Sequence, residues 1–214
     1  VALTSPAEVA LPDIPTYSAA GKGFTCCGLA YLGGGNFLCG DDGRYGEDDG
    51  VYDGTNWRPK VHVVSAAGAL ISSIDVYAID GGANTVQGVA INGDGNYAIA
   101  RLTRNKMLIV NPAGAQIADI TVTLPGGING LAYDILRSRY YASGLNDRNV
   151  ISILDASGTI TGTIALPPGA AFHADVIDHL SYDAANDALL ITKGVNGSAG
   201  FVYSYKLSTR VPFV

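Results

Sequence analysis

Four polar residues each stand immediately before a copy of one recurring phrase. Cys27 precedes Gly28-Leu29-Ala30-Tyr31, Gln87 precedes Gly88-Val89-Ala90-Ile91, Asn129 precedes Gly130-Leu131-Ala132-Tyr133, and Asp178 precedes His179-Leu180-Ser181-Tyr182. A thiol, two amides and a carboxylate at equivalent points of a repeat converge if the repeats surround a common axis. Convergent polar groups at the mouth of a channel are where binding and catalytic sites form.

Other residues offer chemistry of different kinds. His173 and His179 lie near Asp175 and Asp178, which suits zinc or general-base work. No H-E-x-x-H spacing accompanies them, and a histidine in such a loop equally serves to hydrogen-bond neighbouring turns. No G-x-S-x-G elbow marks a nucleophile, and the glycine clusters never open a helix that could cradle phosphate. Residues 41–57 hold six carboxylates with Tyr45, Tyr52 and the only tryptophan, Trp57. That segment reads either as a loop ordered by Ca²⁺ or as a solvated acidic loop with Trp57 packed at its base. Arg101, Arg104, Arg148 and Lys193 fall in the corresponding segments of the other repeats. Together with Trp57 and Tyr45 they form a candidate surface for an acidic or polar ligand, the aromatic rings stacking on it. The alternative is that these charges keep a surface soluble.

The elements that must position these residues follow from the repeat. Its copies start 60, 42 and 49 residues apart, a period that signals stacked units, each unable to bury its own apolar face alone. After each phrase come a polar turn and an apolar stretch, such as Asn96-Tyr97-Ala98-Ile99. A second hairpin follows: residues 61–76 align without gaps on 107–122 and 151–166, with AAG, PAG and ASG turns at the centre. Every unit thus reads as four short antiparallel strands, and no long stretch carries helical periodicity. The predicted fold is all-β, a single β-propeller over 1–214 with four blades at 28–76, 88–122, 130–166 and 179–207. The last blade lacks its fourth strand, while residues 7–12 resemble 162–167. The N-terminal strand is therefore expected to complete that blade and close the ring, removing an open edge.

The phrase Asn129-Gly130-Leu131, the aspartate at 178 and the β-rich repeat resemble the NHL-like and regucalcin/gluconolactonase propellers. That resemblance implies a divalent cation such as Ca²⁺ at the channel mouth, with Asp178, Asn129 and Gln87 as ligands. It also implies Asp178 as the possible catalytic base. The family's glutamate is replaced here by Cys27, a soft ligand, and one of its asparagines by Gln87.

Composition narrows the classes. The chain is 48% hydrophobic and 15% charged, with a net charge of −6, which opposes both disorder and nonspecific binding to nucleic acid or anionic membrane. No apolar stretch approaches the roughly 20 residues of a membrane-inserted helix. The start at Val1 suits a processed or a trimmed chain, and 28 glycines with one methionine suit an extracellular or virion protein. Three cysteines cannot all pair within one chain: Cys39 faces Cys26 or Cys27 across a turn, as a disulfide or as buried thiols. The expectation is a noncatalytic recognition or assembly module without a cofactor, its partner a protein, a glycan or further copies of itself. The alternative is a metal-dependent lactonase-type hydrolase.

Overall fold

The computed structural model describes residues 26–42, 59–81, 85–102, 105–166, 176–194 and 201–207 of the 214. These form fifteen strands and one short helix. The first sheet holds β1 (Cys26–Gly33), β2 (Asn36–Asp41), β3 (Lys60–Ser65) and β4 (Leu70–Asp75) in sequence order. The second holds β5 (Val86–Ile91), β6 (Tyr97–Arg101), β7 (Lys106–Val110) and β8 (Gln116–Thr121). The third holds β9 (Ile128–Asp134), β10 (Arg139–Gly144), β11 (Val150–Leu154) and β12 (Ile160–Ala165). In the fourth, β13 (Val176–Asp183), β14 (Ala188–Gly194) and β15 (Phe201–Lys206) are described. The expected closing strand at 7–12 lies outside the described residues.

Every pairing is an antiparallel hairpin between strands adjacent in sequence. Their turns follow from local chemistry. In the β7–β8 and β11–β12 turns, Asn111 Oδ1 and Asp155 Oδ1 each accept two backbone N–H bonds. Gly114 and Gly158 take the positive φ that closes them. Helix α1 (Val76–Asp80) is a single capped turn: Asp75 accepts from the Ala78 amide, and Gly81 ends it in the left-handed conformation.

The first strands of the sheets, β1, β5, β9 and β13, touch one another in ring order, and β13 returns to β1. Four antiparallel sheets around one axis make a four-bladed β-propeller. The core lies between blades. One cluster joins Leu38, Val61 and Val89, a second Ala98, Met107 and Leu131, and a third Tyr141, Ile151 and Leu180. Full burial of side chains such as Leu131 and Ile151 stabilises the ring by about 1.5–3 kcal/mol each.

The recurring glycine has a steric cause. A Cβ on Gly28 would lie 2.5 Å from the Gln87 carbonyl oxygen, and one on Gly88 would lie 2.5 Å from the Leu131 nitrogen. A Cβ on Gly130 would lie 2.7 Å from Ser143 Oγ and 3.2 Å from the Leu180 nitrogen. Each glycine lets the next inner strand approach closely. The fourth copy of the phrase carries His179 instead. Its Nε2 lies 3.1 Å from the Leu29 nitrogen and 2.9 Å from the Leu29 oxygen. One tautomer accepts from that N–H and the other donates to that carbonyl.

Candidate functional site

At the upper end of the axis, where the inner strands begin, a cleft of about 410 Å³ opens. Cys27, Leu29, Gln87, Asp178, His179 and Thr192 line it. The repeat thus brings three of the four predicted mouth residues to one place. The fourth has another task. Asn129 is buried, and its amide donates to the Ile177 carbonyl at 2.8 Å. Ser143 Oγ accepts from the Gly130 N–H at 2.8 Å and donates to the same Ile177 carbonyl. Asn129 therefore ties blade 3 to blade 4.

The cleft offers a hard cation one carboxylate, from the exposed Asp178, and one amide oxygen, from the half-buried Gln87. The Cys27 thiol beside them does not suit such an ion. Among the described residues no three His, Cys, Asp or Glu side chains group as a metal site. Cys27 is half-buried, and Cys39 is buried opposite Leu29 in the β1–β2 ladder. Burial holds the His179 imidazole below its usual pKa, partly offset by its bond to Leu29.

The predicted ligand-binding surface is only partly described. Trp57, Tyr45 and Arg104 lie outside the described residues, as does His173. Lys193 pairs with Ile177 near the end of β14, and Arg148 is exposed in the β10–β11 connection. Arg101 is fully buried: its guanidinium pairs with Asp80 of α1 and lies 3.9 Å from Asp119. It anchors the helix to blade 2, and the sequence alone placed it on the surface.

Two arrangements escaped the sequence. In blade 1, His62 Nδ1 meets Ser73 Oγ at 2.7 Å, and His62 Nε2 meets Asp41 Oδ2 at 3.1 Å. The order is that of a nucleophilic triad, but its acid and imidazole are sealed in the blade. It ties β2, β3 and β4 together. The three residues are 21 and 11 positions apart, and only the cross-strand register aligns them.

The second arrangement is a cavity of about 540 Å³ at the lower end of the axis, where the inner strands finish. Its walls are the last two residues of each phrase: Ala30, Ala90, Ala132 and Ser181, then Tyr31, Ile91, Tyr133 and Tyr182. Small third residues leave the space, and large fourth residues rim it. That alternation was visible in the repeat and is the signal that would have found the site. Beside it a polar network fastens blade 3 to blade 4. Arg137 donates to Asp187 at 2.6 and 2.7 Å and to the buried Asp134 at 2.9 Å, and Tyr182 donates to Asp187 at 2.8 Å. Arg137 holds the Asp187 carboxyl down at about 2. Burial alone would raise the Asp134 carboxyl, but bonds from Arg137 and Tyr141 bring it below its usual value.

No family model matches the chain, and no curated protein matches it. Solved structures resemble it in shape. The WD40 repeats of RRP9 superpose with a TM-score of 0.53 at 14% identity, over 86% of this chain and 52% of that one. A structure of the nidogen/laminin complex matches with a TM-score of 0.55 at 17% identity, over 79% of this chain and 57% of that one. A streptogramin B lyase gives 0.50 at 17% identity, over 86% of this chain and 55% of that one. The fold is thus shared with β-propellers at large, and the chain spans little more than half of each neighbour. These identities carry the fold alone.

Proposed function

We propose that this chain is a noncatalytic recognition or assembly module that docks a protein through the outer rim of its blades. The observation that carries this reading is that the outermost strands of three blades each expose a large aliphatic side chain. Ile71 on β4, Ile117 on β8 and Ile160 on β12 are 54%, 57% and 45% exposed. Outermost strands normally guard their free edges with charge. Here β12 carries no charged residue, and β4 and β8 carry one aspartate each. Such edges accept a further strand, main chain to main chain. A protein or a second copy is thus a better partner than a glycan. The propeller neighbours, which include the nidogen/laminin complex, accord with a docking role. Placement outside the cell or in a virion is part of the proposal and rests on the low charge and high glycine content.

Sedimentation velocity tests it. Species heavier than the 22.0 kDa chain should form with rising concentration and disappear when Ile71 and Ile117 are both changed to lysine. A monomer at every concentration would remove assembly. The hydrolase reading draws on the upper cleft, where Asp178 and Gln87 stand together. It would replace the first if Ca²⁺-dependent lactone hydrolysis were found and Asp178→Asn abolished it.

A further inference from the structure

We propose that the lower axial cavity is a binding site for a quaternary ammonium group. The inference is independent of the outer rim. The cavity, about 540 Å³, is of ordinary small-ligand size. Its walls are mainly aliphatic and aromatic, with Asn92, Ser181 and Asp183 as polar members and Tyr31, Tyr133 and Tyr182 contributed by equivalent positions of three blades. Tyr31 and Ile135, which both line the cavity, are 62% and 50% exposed, so the opening presents apolar surface to water.

Charge then selects among apolar ligands. Asp183 is the one charged residue lining the cavity among those described. A bond from the Asn186 side chain, joined by backbone bonds from Asn186 and Ala185, lowers its pKa and keeps it ionised. A carboxylate in an apolar cavity repels anions and favours a cation. The same three donors decide which cation. Because they occupy the Asp183 oxygens at 2.6–3.2 Å, little acceptor capacity remains for a primary ammonium or a guanidinium, which must replace several water hydrogen bonds on entry. Asn92 is similarly spent, its Oδ1 accepting from the Asp94 and Asn96 amides. A quaternary ammonium has no N–H to satisfy and spreads its charge over methyl groups. It gains from tyrosine rings and from a nearby carboxylate without a direct hydrogen bond.

The test is a titration of the intact chain with choline and, separately, with its uncharged carbon isostere dimethylbutanol, followed by methyl NMR. Choline should shift the methyl signals of Ala30, Ile91 and Ala132 and bind about tenfold more tightly than the alcohol. Asp183→Asn keeps an acceptor for the turn and should cost choline about tenfold while leaving the alcohol unchanged. Tyr31→Leu, at an exposed position, should weaken choline in the same sense. Equal affinity for the two ligands, shifts confined to another part of the chain, no binding at all, or an unchanged Kd in Asp183→Asn would each overturn the assignment.

Discussion

The four junctions between blades are not built alike. At the first three, a glycine lets the neighbouring inner strand come within contact of the backbone itself, and an aliphatic cluster fills the space behind it. Between blades 4 and 1 the equivalent position is His179, and a side chain spans the gap to Leu29. Where glycine stands, spacing is fixed by main-chain atoms that have nowhere to go. Where histidine stands, spacing is fixed by a ring that can change its protonation. The repeat therefore builds three rigid junctions and one adjustable one.

Substitutions can break this contrast. The largest loss should come from Gly88→Ala, whose Cβ meets two backbone atoms of blade 3 at 2.5 and 2.9 Å. It should cost roughly 3 kcal/mol in urea unfolding. Gly130→Ala meets a serine hydroxyl first and a backbone atom only at 3.2 Å, and should lose less. Asn129→Ala strips the Ile177 carbonyl of one buried donor and should cost roughly 1–2 kcal/mol. If that variant is as stable as the parent, the amide is not holding the junction. Arg137→Met, on the partly exposed network, should cost no more than about 1 kcal/mol, and the difference should shrink in high salt.

The smallest effect is the one that isolates the fourth junction. Because burial lowers the His179 pKa from 6.5, the unfolded chain takes up the proton at a higher pH than the folded one. The His179 contribution to stability is therefore intact above pH 6.5 and falls as the pH drops below it. The urea midpoint should decline between pH 7.5 and 5.5 in the parent, and His179→Gln should flatten that decline. A parent profile with no slope there would show that the fourth junction is as insensitive as the others.

How far these junctions were legible in sequence differs by residue. Gly28, Gly88 and Gly130 announced the repeat, and with it the four blades. The reason for them was hidden, because the atoms they make room for lie some 40 to 60 residues on. Asn129 lies on an inner strand, yet sequence could not tell an amide aimed at a ligand from one bonded to Ile177. Arg101 read as a surface charge because its partner Asp80 sits in a helix of five residues, too short for periodicity to reveal. The lower cavity is hidden in sequence because its walls come from the ends of four inner strands that are far apart along the chain.

The Leu29–His179 contact also bears on how the chain folds. Each described sheet pairs strands that follow one another, so hairpins and neighbouring blades meet at the small entropic cost of closing short loops. Leu29 and His179 are 150 residues apart, and bringing them together closes by far the longer loop. Protection within and between consecutive blades should thus come early in hydrogen exchange during refolding, with protection at the β13–β1 junction arriving last. A chain carrying His179→Gln should then form its blades at the parental rate and lag only in the final step.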